Sequence, residues 1–109
     1  MKKIKLTSAI AILFFNVAVF AEPHLDEAIK HASAAGQAND AASISEHTVS
    51  ALEHAMAGSL IAKGAARTHA DEGVKALENA LASAKAKKTD NAKSSISSAL
   101  EHLKAANKK

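Results

Sequence analysis

Cysteine, tryptophan and tyrosine are absent from this chain of 109 residues. Without a thiol there is no disulfide framework, no thiolate metal site, no lipid-modified N-terminal Cys and no Cys nucleophile. Aromatic side chains are confined to Phe14, Phe15 and Phe20. Beyond that point nothing can stack on single-stranded bases or cage a quaternary ammonium. Gly-rich phosphate loops are also missing, and no long apolar run follows the first 21 residues.

Those first residues have the three parts of a cleavable signal peptide. Lys2, Lys3 and Lys5 precede an apolar run from about Ala9 to Phe20, and Val19-Phe20-Ala21 offers a small-residue cleavage site. Thr7, Ser8 and Asn16 interrupt the run, which is shorter than a membrane-spanning helix requires. The expectation is export to the periplasm with cleavage after Ala21. Residues 1–21 are then the signal and residues 22–109 the mature domain.

Cleavage changes the chemistry. The chain has 14 Lys and Arg residues against 11 Asp and Glu, and three of the 14 leave with the signal, which levels the two counts. The basic balance therefore belongs to the precursor, and the argument for nucleic acid or an anionic membrane as partner goes with it. The mature part has room for one domain. Its large aliphatic side chains are few: Leu25, Ile29, Ile44, Val49, Leu52, Met56, Leu60, Ile61, Val74, Leu77, Leu81, Ile96, Leu100 and Leu103. Most core contacts must come from Ala, so the core is thin.

Four short stretches match one another, at Ala28-Ile29-Lys30-His31-Ala32, Ala51-Leu52-Glu53-His54-Ala55, Ala76-Leu77-Glu78-Asn79-Ala80 and Ala99-Leu100-Glu101-His102-Leu103. They recur at spacings of 23, 25 and 23 residues, the range of a repeated supersecondary unit. Each reads as helix from its Ala, Leu, Glu and Lys content and its apolar steps of three and four. Helix 1 is expected from Pro23 to Ala35 with Gly36 as its stop. The second is expected from a cap at Asn39 or Asp40 to an exit at Gly58 or Gly64. The third starts after Thr68 and frays in Lys85-Ala86-Lys87-Lys88, and the fourth follows a cap at Thr89 or Asp90 and ends near Ala106. The expected fold is all-α, an up-down-up-down four-helix bundle built from a duplicated helical hairpin.

Six histidines carry the distinctive chemistry of the mature chain. His24 and His31 are seven residues apart, as are His47 and His54. Seven residues is two turns, so each pair shares a helix face about 10 Å apart. One ion cannot join such a pair directly. Ligands must instead come from an adjacent turn or helix. Glu27 lies three residues after His24 and four before His31, and Glu72 lies three after His69, spacings that let nitrogen and oxygen ligands converge. In an antiparallel bundle His24, His54, His69 and His102 fall toward one end, with His31 and His47 close together further along the first hairpin. His31, His54 and His102 each follow a core position by two, which turns them about 200° from the core seam. They are expected outward or flanking, either as idle surface residues or as open ligands for copper(II), zinc or nickel.

Two other constellations carry less. Glu22-Pro23-His24 puts a histidine third from the mature N-terminus, but Pro23 has no amide N–H to give to a square-planar chelate. Ser94, Ser95, Ser97 and Ser98 with His102 lack an ordered third group or an oxyanion pocket, so no catalysis is expected.

At His24-Leu25-Asp26-Glu27-Ala28-Ile29-Lys30-His31-Ala32, Glu46-His47, Leu52-Glu53-His54-Ala55, the His69 segment and Leu100-Glu101-His102-Leu103, the chain resembles the small metal-binding protein family. That resemblance implies an exported bacterial four-helix bundle that binds several divalent transition-metal ions, copper among them. Carried onto matching positions, it implies His24, His31, His47, His54, His69 and His102 as ligands, with Glu27 as a helper. The chain departs from the family in having fewer histidines, with Ala76, Asn79 and Ser95 where further ones would fit. A different class of reading is a helical interaction or structural protein of the cell envelope whose metal sites have decayed. Its Ala-rich surfaces would pair with another helix or a second copy.

Overall fold

The computed structural model describes residues 21–108, and the segment read as a signal peptide, up to residue 20, lies outside them. Four helices follow in order: α1 Ala21–Gln37, α2 Ala41–Ile61, α3 Gly64–Lys85 and α4 Thr89–Ala106. Links of two or three residues leave each helix no course but to fold back on the one before. Each packs on its sequence neighbours and α1 closes the ring against α4, whereas α2 and α4 barely meet. The bundle is therefore up-down-up-down.

The interior is built largely of small side chains. Ala28, Ala32, Ala35, Ala51, Ala55, Ala70, Ala80 and Ala99 are buried around Leu25, Leu52, Leu77, Ile96 and Leu103. Ile44, Ala84 and Ala92 form a second cluster toward the opposite end. Val49, Met56 and Leu60, expected in the core, are instead exposed on α2. The buried arc of α2 carries Ile44 and Leu52 with Thr48, Ala51, Ala55 and Gly58, and its small residues let the neighbouring helices approach.

Several expected boundaries move. Gly36 does not stop α1, which continues to Gln37; it lies inside the helix facing α4, where an added Cβ would meet Ile96 Cγ2 at 3.4 Å, an ordinary contact. Gly58 is not an exit either. It is buried inside α2, and its carbonyl accepts the Ala62 N–H at 2.9 Å. Gly64, at φ +61°, makes the corner into α3, which starts five residues earlier than expected. Asp40 caps α2 as expected, its carboxylate accepting from Ser43 N at 3.0 Å. Neither Thr89 nor Asp90 is the cap of α4: Lys88 holds that position without a side-chain bond, after a turn in which Lys87 takes φ 64°.

Two side-chain bonds fasten one end of the bundle. Ser59 Oγ donates to Asp71 between α2 and α3. Asn107 Nδ2 donates to Asp26 Oδ1 at 2.6 Å between the end of α4 and the start of α1. This is the end that carries most of the histidines.

Candidate metal centres

Antiparallel packing interleaves the heptad-spaced histidines of α1 and α2. The ring centroids of His24 and His54 are 5.8 Å apart, those of His54 and His31 5.6 Å, and those of His31 and His47 6.4 Å. Four imidazoles thus form a ladder along one seam, each rung alternating between helices. His31 and His54 lie nearly parallel, 3° between ring planes. Two residues on one helix that are too far apart for a common ion acquire an intermediate ligand from the other helix.

Glu27 joins the middle of this ladder. One ligand atom each from Glu27, His31 and His54 lie within 4.8 Å of one another, with His31 Nε2 4.0 Å from Glu27 Oε1. Lys30 Nζ holds the same carboxylate from its other oxygen, 3.6 Å away. The shallow depression beside them is lined by Pro23, His24, Asp26, Glu27, Ile29, Lys30 and His54.

The seam between α3 and α4, across the bundle, carries a smaller counterpart. His69 and His102 have ring centroids 6.2 Å apart. Glu72 Oε1 lies between them, 3.1 Å from His102 Nδ1 and 3.6 Å from His69 Nδ1. All three offer ligand atoms within 4.8 Å. The close approach of α3 and α4 comes from Gly73, where a Cβ would lie 2.8 Å from Leu103 Cδ2. Gly73 and Leu103 adjoin Glu72 and His102, so this contact places both ligands. Glu72 was noted for its i+3 spacing from His69 but was not among the ligands that the family resemblance implied. What spacing left open was whether a second helix would supply the other imidazole.

Burial departs from expectation. His24 and His54 are only 5% and 9% exposed, although His54 was expected outward or flanking. His31 and His102 are half-buried. Facing residues in the α1–α2 seam are Ala28, Ala32, Ala51 and Ala55, all fully buried, and helices this close cover their own flanks. Burial pulls the proton affinity of His31 below its ordinary value, against the pull of Glu27 and with the help of His47. The same cause acts on His54, with His31 and His24 adding to the lowering. These imidazoles are thereby kept neutral and able to donate a lone pair near pH 7.

The donor sets fit a borderline ion. Each pairs two imidazoles with one carboxylate, the chemistry of copper(II), zinc or nickel and not of calcium or magnesium. Ligands about 2 Å from a shared ion stand closer together than 4.8 Å, so modest side-chain rotation closes either triad. The buried His69 Nδ1 has no hydrogen-bond partner, so turning it toward an ion would break no bond. Among the described residues no helix is long and apolar enough to cross a membrane. A family profile described as small metal-binding protein matches residues 1–106. No curated protein and no solved structure matches the chain.

Proposed function

The chain belongs to the small metal-binding protein family, and on that premise we propose that it is a periplasmic, non-catalytic buffer of divalent transition-metal ions, copper(II) foremost, with zinc and nickel as weaker occupants. The observation that carries this reading is the convergence of two separate His2Glu triads, Glu27/His31/His54 and His69/Glu72/His102, on opposite seams of the bundle. Chance surface pairs arise within one helix. Here each triad draws on two helices. Three protein ligands leave coordination positions open to water, which suits reversible loading. His24 and His47 extend the first triad at both ends, so the α1–α2 seam offers alternative ligand pairs to an incoming ion.

Calorimetric titration of residues 22–109 with copper(II) at pH 7 tests this. The expected result is two tight equivalents, one lost in the His31→Gln/His54→Gln variant and the other weakened by at least about tenfold in Glu72→Gln. Both should weaken sharply near pH 5 as protons compete for imidazole. No binding at micromolar concentrations, or binding unchanged after replacement of all six histidines by Gln, would remove the metal reading. The envelope-interaction reading would then stand, supported by the exposed Val49, Met56 and Leu60 of α2.

A further inference from the structure

The outward face of α2 differs in kind from those of the other helices. Positions 42, 46, 49, 53, 56 and 60 follow steps of four and three, and at 100° per residue they fall within a stripe about 80° wide. Ala42, Glu46, Val49, Glu53, Met56 and Leu60 occupy it. Val49, Met56 and Leu60 are 39%, 45% and 75% exposed, and they are the large hydrophobic side chains left exposed among the described residues. The exposed positions of α4, by contrast, are Asp90, Asn91, Ser94, Ser97, Ser98, Glu101 and Lys104. Those of α3 are mostly charged as well.

Charge is distributed unevenly along α2. Asp40 and Glu46 stand exposed toward its N-terminal end, while Lys63 and Arg67 stand exposed just beyond its C-terminal end. A face whose middle is apolar apart from Glu53, acidic at one end and basic at the other, is complementary to itself when turned end for end.

We propose that α2 is a homodimer interface in which it pairs antiparallel with α2 of a second copy about a two-fold axis near residues 54 and 55. In this register Val49 lies opposite Leu60 of the second copy, Glu53 opposite Met56, and Glu46 opposite Lys63. Each contact occurs twice, as an isologous interface requires. The register also keeps the two Glu53 carboxylates from facing each other. The histidine seams lie on the flanks of the stripe and away from it, so the association needs no metal. One helix face is small for an interface, which places the dimer among weak ones, with a dissociation constant on the order of 100 µM.

Sedimentation equilibrium of residues 22–109 in EDTA, from about 20 µM to about 1 mM to bracket that value, tests the proposal. The expected result is a reversible monomer–dimer equilibrium. Leu60→Ser should weaken it roughly 30-fold or more, since two side chains are lost per dimer. Glu46→Lys and Lys63→Glu should each weaken it several-fold, and the double exchange should restore it, because the pair is re-formed with its signs reversed. All these positions are exposed, and unchanged helicity by circular dichroism checks that each variant folds. A monomer throughout, a dimer that forms only with added metal, indifference to Leu60→Ser, or failure of the double exchange to restore association would each overturn the proposal.

Discussion

Substituting Gly73 by Ala should destabilise the protein even though alanine is the better helix former. In the interior of an exposed helix the exchange gains about 1 kcal/mol. Gly73 is buried, and a Cβ there would meet Leu103 Cδ2 at 2.8 Å and Leu103 Cγ at 3.0 Å, with Ala99 O at 3.7 Å. Leu103 is fully buried and has no solvent side to turn toward. Overpacking of this kind costs about 1–3 kcal/mol, which outweighs the propensity gain and leaves a net loss near 1 kcal/mol. For a domain of this size that is a fall of roughly 4–8 °C in Tm. Gly36 supplies the control. It is also inside a helix, but its added Cβ would lie 3.4 Å from Ile96 Cγ2, so Gly36→Ala should raise Tm by a few degrees. Thermal unfolding followed at 222 nm in EDTA measures both. If Gly73→Ala stabilised as much as Gly36→Ala, α3 and α4 would not approach as described. The same variant should weaken metal at His69/Glu72/His102 while sparing Glu27/His31/His54, because it separates the helices that place Glu72 beside His102.

Three further outcomes follow from single observations. Glu72→Gln keeps the shape of the side chain and removes its charge, so copper(II) affinity at that triad should fall by at least about tenfold with the α1–α2 seam unaffected, as read by calorimetry. Thr48 is fully buried and its Oγ1 has no hydrogen-bond partner; Thr48→Val should therefore stabilise the fold by about 1 kcal/mol in urea denaturation, and a loss of similar size would show that the hydroxyl is satisfied. Burial depresses the proton affinity of His31 and His54 below the ordinary imidazole value of 6.5, so the unfolded chain takes up protons more readily. Stability of the metal-free protein is then unpenalised above about pH 6.5, falls as the pH drops through that value, and levels off below the folded values. Tm measured from pH 8 to 5 in EDTA should decline over that window, and the decline should be shallower in His31→Gln/His54→Gln.

Four helices and their order were legible because Gly, Asp and the Lys-rich stretch at 85–88 punctuate an otherwise continuous helical pattern. The errors lie in where helices stop and which residues face inward. Gly36 and Gly58 were read as stops, yet both sit inside helices. Val49, Met56 and Leu60 were counted among the large aliphatic side chains available to a core, while the buried face of α2 carries Ile44 and Leu52 together with Ala51, Ala55, Gly58 and Thr48. Place on the helix decides which aliphatic side chains are inside, and the small residues at the other inward positions shorten the distance between axes. The histidine positions followed the same logic. Spacing located each on its own helix and foresaw His31 beside His47. It could not give the depth of the seam, which depends on the opposing alanines, or show that Glu72 would be shared by His69 and His102.

The placement of the ligands bears on how such a protein can load and unload. The histidines line the seams between helices, His24 and His54 nearly covered and His31 and His102 half-buried, while the core itself is made of Ala, Leu and Ile contacts. Each triad bridges only the two helices of one hairpin, so an ion held there adds stability by mass action without completing the fold. A protein that needed its metal to fold would release it only by unfolding. On the proposed reading this bundle avoids that coupling. The two seams are also unequal: the first offers four imidazoles in series, while in the second Ala76 and Ser95 stand where the spacing of His31 and His47 would place further ligands. On the proposed reading an ion in the first seam has His24 and His47 as further ligands beside Glu27, His31 and His54, whereas one in the second has only His69, Glu72 and His102. Extra imidazoles favour rebinding, so the α1–α2 seam should be the slower of the two to yield its ion to a competing chelator.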